Sequence, residues 1–167
     1  SQKGAGFHRL RRSRLMLAWR IAKRAYALDR IGTGSRIAGG RWNSEGVSAI
    51  YAGLTAEIAA METLVHTGRF IPADLVVVKI TLPDNPALYE TPDPMDLPAG
   101  WAGLPSSPAA TAFGDAFIQG MAKLGLIVPS AVMPEARNIL INPAHPAMAQ
   151  VTMEIVRDFA FDPRLRP

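Results

Sequence analysis

Residues 47–83 contain a strand–helix–strand pattern, which limits the possible folds more than any other part of the chain. The middle piece, "LTAEIAAMETLVHTG", predicts a helix because Thr55 is a suitable N-cap and Glu57 suits the positive end of the helix dipole. The preceding "VSAIYAG" alternates as a short strand does. The following "DLVVVKITLP" is continuously apolar, which predicts a strand with a neighbour on each side.

The remaining segments are predicted from turn residues and apolar spacing. Residues 15–28 are expected to form a helix or a strand leading into one, and the glycine-rich residues 30–46 a loop or a bent hairpin. A second helix is expected to begin at Thr111, with three further strands after it. The stretch from Pro83 to Ala110 holds seven of the 14 prolines and is predicted to be a functional lid or a surface excursion. These elements together predict one α+β domain with a mixed sheet core flanked by helices.

The composition excludes several classes of protein. Apolar residues make up 49% of the chain and charged residues 19%, a balance typical of globular and not of disordered proteins. No apolar run approaches the length of a membrane span. The absence of cysteine excludes disulfides and thiol catalysis and suits a cytoplasmic location. His8, His66 and His145 are too scattered for a metal site, so none is expected.

The net charge of +4 comes from the start of the chain. Residues 1–14 hold five basic and no acidic residues, and without them 13 basic residues face 14 acidic ones. We therefore divide the chain into a basic arm, residues 1–14, and a nearly neutral domain, residues 15–167. The arm could contact nucleic acid, remain a solvated tail or meet an acidic protein partner.

Glu62 is the first candidate for chemistry. It lies on the flank of the apolar stripe that its helix is expected to present, so its carboxylate is partly desolvated and needs a partner or a purpose. His66, one turn later, could be that partner, and for Glu62 taken alone a salt bridge or hydrogen bond at the helix edge is the favoured interpretation. The predicted stripe consists of Leu54, Ile58, Met61 and Val65.

Other side chains near this helix suggest a nucleotide site. Tyr51 ends the strand before the helix and offers a flat face for stacking. Arg41, in "GGRWNSEG", has a guanidinium suited to bidentate phosphate contact, and Arg20 could supply a second one. An arginine, an aromatic residue and a glutamate are the minimum set for a dinucleotide whose glycosidic bond is broken.

The stretch "VPSAVMPEARNILINP" adds three polar candidates. The Ser130 hydroxyl could meet a ligand or cap a turn, and no G-x-S-x-G elbow surrounds it. Asn138 and Asn142 bracket an apolar strand, where asparagines form turns more often than they bind ligands.

These stretches resemble the RES domain family. The matching pieces occur in the family's order over about residues 19–160: "WRI", "GGRWNSEG", "AIYAG", "AAMETLVH", "FGDAFI" and "VPSAVMPEARNILINPAHP". The resemblance implies a fold like that of ADP-ribosyltransferases, a toxin paired with an Xre-type antitoxin, and consumption of NAD. Members of the family split NAD by phosphorolysis or hydrolysis, or ADP-ribosylate a host protein, a nucleotide-precursor synthase.

The resemblance also implies roles for individual residues. Arg20 and Arg41 would line the NAD pocket, Tyr51 would stack on the ligand, Glu62 would be the acidic residue and Ser130 the serine of the family pattern. On this basis we expect Glu62, Arg41 and Tyr51 to take part in catalysis. We expect NAD to be bound by Arg20, Arg41, Tyr51, Ser130 and Asn138. The expected partners are an Xre-type antitoxin, NAD and a host protein as acceptor. No membrane is expected, and contact with nucleic acid is expected only through the antitoxin.

A second hypothesis is a nucleic-acid-binding or RNA-cleaving toxin that uses the basic arm. It predicts binding that depends steeply on salt and is lost with residues 1–14. The nearly neutral domain and the absence of a paired His/Glu or His/Lys centre disfavour it.

Overall fold

The computed structural model describes residues 15–165, so the predicted basic arm, residues 1–14, lies outside the described residues. The strands in this part are β1 (Met16–Lys23), β2 (Ile50–Gly53), β3 (Leu75–Leu82), β4 (Tyr89–Glu90), β5 (Gly125–Pro129), β6 (Arg137–Ile141) and β7 (Thr152–Phe159). The helices are α1 (Thr33–Ala38), α2 (Ala56–His66) and α3 (Pro108–Gly120). Within residues 15–165, none of the helices has the length and apolar character needed to cross a membrane.

The strands form one mixed sheet in the order β4–β5–β6–β2–β1–β3–β7. The short β4 runs parallel to β5, and the other neighbours are antiparallel. The predicted α+β domain is therefore confirmed. The neighbours expected on both sides of β3 are β1 and β7, and its two faces enter two different core clusters, which explains its continuous run of apolar residues.

The sheet opens between β1 and β2. These strands share a single registered pair, Trp19 with Gly53, whereas β1 pairs with β3 along its whole length. Because β1 and β2 separate after that pair, the middle of the sheet has a cleft where a closed ladder would otherwise run.

The two longer helices cover the same face of the sheet on either side of this opening. Tyr51 and Gly53 share a face because they are two residues apart on β2. Gly53 lies directly under α2, since a Cβ there would be 2.6 Å from Cγ2 of Ile58. Tyr51 packs in the core cluster that also holds Ile118 of α3. The space between the helices is therefore open above the centre of the sheet.

The face of α2 that packs against the sheet differs from the predicted one. The helix buries Ile58 and Ala59, whereas Val65 of the predicted stripe is 52% exposed. The small Ala59 faces the sheet because Gly53 allows close approach there. This rotation brings Glu62, one turn after Ala59, to the sheet side of the helix rather than to its flank.

Two helix starts also differ from the prediction. Residues 33–38 form α1 within the expected loop, because the Asp29 carboxylate accepts a hydrogen bond from the Thr33 backbone N–H at 2.8 Å and supports the first turn. The helix α3 begins at Pro108 and not at Thr111. Its N-cap is Ser107, whose hydroxyl oxygen accepts from the Ala110 N–H at 3.2 Å.

Candidate active site

A cavity of about 700 Å³ lies above the opening between β1 and β2. Its walls come from β1, α1, the turn at residues 39–42, β2, α2 and β6. Five of the six residues assigned from the sequence line it: Arg20, Arg41, Tyr51, Glu62 and Asn138. The sixth, Ser130, is fully buried and touches the site through Glu62.

The Glu62 carboxylate is held by one of its two oxygens. Oε1 accepts hydrogen bonds from the Ser130 hydroxyl at 2.7 Å and from Nδ2 of Asn138 at 2.7 Å. The other oxygen, Oε2, lies 3.8 Å from Nδ1 of His66, whose ring nitrogen is 2.6 Å from the Glu62 carbonyl oxygen. The side chain is 25% exposed, so the carboxylate is oriented from inside the protein and open on its other side.

Ser130 can donate in only one direction. Its oxygen accepts hydrogen bonds from the backbone N–H groups of Val132 at 3.0 Å and Met133 at 3.2 Å. Because a hydroxyl has one proton and two lone pairs, that proton is left for Glu62. The turn after β5 thus directs the Ser130 hydroxyl at the carboxylate.

The two asparagines of the β6 region have different tasks. Asn138 faces the cavity from β6 and donates to Glu62, while its own Oδ1 is buried without a partner among the described residues. Asn142 is a turn former: it donates to the Ile118 carbonyl at 2.9 Å and accepts from the Ala144 N–H at 3.1 Å. Only Asn138 lines the cavity.

The side chain of Trp42 anchors the turn that carries Arg41. Trp42 is buried, stacks on Trp101 with ring centroids 6.0 Å apart, and meets the edge of Phe113 at 6.0 Å. The helix α3 approaches this turn so closely at Gly114 that a Cβ there would overlap the Trp42 carbonyl oxygen. Glycine is therefore required at position 114 for contact between the helix and the turn.

Asn43 and Tyr51 connect the same turn to β2. The Asn43 amide donates to the carbonyls of Ser35 and Val47, each at 2.9 Å, and its Oδ1 accepts from the Tyr51 hydroxyl at 2.5 Å. The Tyr51 oxygen in turn accepts from the Trp42 N–H at 3.1 Å. Both hydrogen bonds of the Tyr51 hydroxyl therefore go to this turn, and Tyr51 also lines the cavity.

Electrostatics keep the Tyr51 phenol neutral. Burial raises its pKa well above the ordinary value, an effect that the Trp42 backbone hydrogen bond and the Arg41 charge oppose and that the Asp115 charge adds to. Asp115 was missed in the sequence because nothing in its spacing links α3 to the turn, although it accepts from the Ser44 N–H at 2.9 Å.

The two arginines that line the cavity are held by different segments of the main chain. Nη1 of Arg41 donates to the carbonyls of Trp101 at 2.5 Å and Gly103 at 2.8 Å. Nη2 of Arg20 donates to the carbonyl of Ala27, and burial lowers the Arg20 pKa despite the opposing charge of Asp29. Nε of Arg20 is buried without a partner among the described residues. Both guanidiniums thus keep N–H donors for which no residue in the range 15–165 is an acceptor.

Comparison with known proteins places this chain in a family. The model of the RES domain matches residues 17–163. The chain belongs to the RES domain family. It is 39% identical over 152 residues to the "Prs ADP-ribosylating toxin" of Sphingobium sp. (strain YBL2), covering 88% of this chain and 94% of that protein. It is 34% identical over 155 residues to the "Toxin Res" of Yersinia enterocolitica, covering 90% of this chain and 100% of that protein.

A further relative and a solved structure agree with this assignment. The "Toxin Res" of Pseudomonas putida is 37% identical over 153 residues, which cover 90% of this chain and 99% of that protein. A chain of the "Crystal structure of the M.tuberculosis MbcT-MbcA toxin-antitoxin complex" has a TM-score of 0.63 at 19% identity, covering 90% of this chain and 86% of that chain. At this identity the likeness shows the fold alone.

The RES domain therefore brings the assigned residues together around one cavity. Two donors orient the Glu62 carboxylate, and the ring of Tyr51 lines the same cavity. Arg20 and Arg41 also line it, and each has N–H donors that bond no described residue. The expectation that Ser130 bonds the ligand directly stays a prediction. Its described contacts give it a different task, which is to hold Glu62.

Proposed function

We propose that this RES domain is the toxin of a toxin–antitoxin pair and that it cleaves the bond between nicotinamide and ribose in NAD. One observation carries the proposal: Glu62, oriented by Ser130 and Asn138, lines the same cavity as Arg20, Arg41 and the ring of Tyr51. The name of one relative, Prs ADP-ribosylating toxin, supports this reaction class. Two further relatives, each named Toxin Res, support the role of a toxin.

The reaction needs little acid catalysis. When the bond from C1′ of the ribose to the nicotinamide nitrogen breaks, its electron pair moves to that nitrogen, and the cationic pyridinium leaves as neutral nicotinamide. Positive charge develops on the ribose as an oxocarbenium-like ion. An acceptor then attacks C1′ and loses a proton, so that ADP-ribosyl acceptor, nicotinamide and a proton are formed.

Glu62 stabilises the developing cation. A fixed carboxylate beside the ribose attracts the transition state more strongly than the ground state, in which the positive charge lies on the nicotinamide. Because Ser130 and Asn138 both bond Oε1, the less encumbered Oε2 is the oxygen that faces the ribose. The two donors keep the carboxylate from turning toward other partners.

The cationic and aromatic walls bind the rest of the dinucleotide. Arg41 and Arg20 contact the diphosphate through N–H donors that bond no other described residue, a role for which a guanidinium is better suited than an ammonium. Tyr51 presents its ring to the nicotinamide. The hydroxyl of Tyr51 takes no part in proton transfer, since its pKa is raised and both of its hydrogen bonds go to the turn.

The acceptor of ADP-ribose is a host protein or, in an NAD-degrading reaction, phosphate or water. The name of the Sphingobium relative, Prs ADP-ribosylating toxin, favours transfer of ADP-ribose over simple degradation of NAD. The resemblance to the family suggests a host protein, a nucleotide-precursor synthase, as the acceptor. An antitoxin partner is proposed because the similar solved structure is a toxin–antitoxin complex. We expect this antitoxin to be of the Xre type and the pair to act in the cytoplasm.

Product analysis tests the proposal. The purified protein is incubated with NAD alone, with phosphate and with cell lysate, and the products are identified by mass. We expect free nicotinamide in at least one condition, with ADP-ribose, its phosphate ester or an ADP-ribosylated protein as the second product. Glu62→Ala should remain folded and release no nicotinamide. Intact NAD in all three conditions with the wild-type protein would contradict the proposal.

A further inference from the structure

The loop formed by residues 98–107, here called the Trp101 loop, ends the proline-rich stretch and meets Arg41. Both hydrogen bonds of the Arg41 side chain among the described residues go to this loop, from Nη1 to the carbonyls of Trp101 and Gly103. These acceptors are main-chain atoms, so their positions depend on the shape of the loop and not on a side-chain rotamer.

The Trp101 loop is folded by its own bonds. The Gly100 carbonyl accepts from the N–H groups of Gly103 at 3.1 Å and Ser107 at 3.2 Å, and the Ser107 hydroxyl donates to the Ala99 carbonyl at 2.7 Å. The same Ser107 caps α3, which ties the loop to the start of the helix. The loop is therefore an organised segment that supports Arg41, although its own residues do not line the cavity.

The Trp101 ring joins the loop to the turn that carries Arg41. It stacks on Trp42 at 6.0 Å with an interplanar angle of 23°, and Trp42 is the residue after Arg41 in the chain. The Thr111 hydroxyl of α3 also donates to the Arg41 carbonyl at 3.4 Å. The main chain and the side chain of Arg41 are thus held by one piece of structure, residues 98–111.

This arrangement leaves one edge of the guanidinium for a ligand. A guanidinium has five N–H donors, and the two on Nη1 are used by the loop. The donors of Nε and Nη2 form a side-on fork, whose spacing matches two oxygens of a phosphate group. No described residue accepts from that fork, and Arg41 lines the cavity.

We propose that the Trp101 loop sets the affinity of the site for a nucleoside diphosphate by fixing the direction of the free fork of Arg41. Trp101 is then a positioning residue, which acts through Arg41 and does not touch the bond that breaks. The inference rests on the proposed function for the identity of the substrate, NAD, but the recognised group is the diphosphate itself.

The test compares Trp101→Ala with Trp101→Phe, which keeps an aromatic ring against Trp42. Leu104→Ala is the matched control, because Leu104 belongs to the same loop and is 96% exposed. For each variant, kcat and KM are measured with NAD, and Kd is measured with ADP, a diphosphate that lacks the scissile bond. Thermal unfolding reports whether each variant folds. If Trp101→Ala does not fold, Trp101→Leu is measured in its place.

For Trp101→Ala we expect KM for NAD and Kd for ADP to rise together by about tenfold, the effect of weakening one charge-assisted contact, with kcat within about twofold of wild type. Trp101→Phe should lie closer to wild type, and Leu104→Ala should match it. In an Arg41→Ala background, the change at Trp101 should have no further effect on the Kd for ADP.

The outcomes separate this inference from the proposed function. The role of the loop is overturned, even if NAD is cleaved, if Trp101→Ala leaves the affinity for ADP unchanged. It is also overturned if Trp101→Ala lowers this affinity equally in the wild-type and Arg41→Ala backgrounds. Absence of ADP binding by the wild-type protein also overturns it. A wild-type protein that binds ADP through Trp101 and Arg41 but leaves NAD intact retains the inference and contradicts the proposed reaction.

Discussion

Replacing Asn138 with leucine separates catalysis from stability at this site. The substitution keeps the approximate volume of the side chain, removes the Nδ2 donor to Glu62 and removes the buried Oδ1 that has no partner among the described residues. Glu62 then keeps Ser130 as its single internal donor. We therefore expect the catalytic rate and the free energy of unfolding to respond differently.

The expected changes in kcat and in the free energy of unfolding follow from the loss of Nδ2 and of Oδ1. A hydrogen bond to a charged group contributes about 1.5–3 kcal/mol, so kcat for NAD should fall about ten- to hundredfold at about 1.4 kcal/mol per tenfold change. Water can replace part of the lost bond because the Glu62 side chain is 25% exposed, which favours the lower end. Removing an unpaired buried acceptor recovers about 1–3 kcal/mol, so the free energy of unfolding should stay within about 1 kcal/mol of wild type.

Asn142→Leu is the matched control on the same side of the sheet. Asn142 is fully buried, bonds Ile118 and Ala144, and does not line the cavity. Its loss leaves a buried carbonyl and a backbone N–H unpaired, so stability should fall by about 2–5 kcal/mol while kcat per folded molecule stays unchanged. Nicotinamide release and urea unfolding measure the two effects. The reasoning is refuted if Asn138→Leu retains the wild-type kcat, or if it unfolds as easily as Asn142→Leu.

Two further predictions concern packing and pH. Gly114→Ala should lower the free energy of unfolding by about 1–3 kcal/mol or more, because its Cβ would overlap the Trp42 carbonyl. Gly120→Ala is the control and should leave stability unchanged, because a Cβ at that position meets nothing within 4 Å. Equal melting temperatures for the two variants would show that α3 does not need the contact at Gly114. Because burial raises the Tyr51 pKa, the stability that this phenol contributes is present below its unfolded value of about 10 and is lost as pH rises above it. Melting temperatures from pH 8 to 11 should therefore fall more steeply for wild type than for Tyr51→Phe, and parallel curves would contradict the assigned burial.

Much of the fold could be predicted from local patterns. The Thr55 cap and the continuous apolar run of β3 gave correct elements because each is encoded within a few neighbouring residues. The start of α3 was predicted three residues too late, since Ser107 followed by proline is a stronger start than Thr111. The rotation of α2 could not be predicted from its apolar stripe, because it depends on the room that Gly53 of another element leaves for Ala59.

The sequence singled out side chains that the structure brings to one cavity, but it did not predict how they are arranged. Arg41, Tyr51 and Glu62 have side chains whose chemistry is visible one residue at a time. The bonds from Ser130 and Asn138 to Glu62 join positions 68 and 76 residues apart, and no local spacing encodes them. The dependence of Arg41 on main-chain carbonyls of Trp101 and Gly103 leaves no mark in residue identity at all.

We propose that catalysis depends above all on the negative charge of Glu62, which stabilises the ribose cation formed as the glycosidic bond of NAD breaks. Glu62→Gln tests it most directly, because the amide oxygen can still accept from Ser130 and Asn138, so that the charge is lost and both bonds are kept. Glu57→Gln, on an exposed position of the same helix, is the control. We expect the rate of nicotinamide release to fall by about a thousandfold in Glu62→Gln and to stay within about twofold of wild type in Glu57→Gln. A folded Glu62→Gln protein that releases nicotinamide at the wild-type rate would contradict the account.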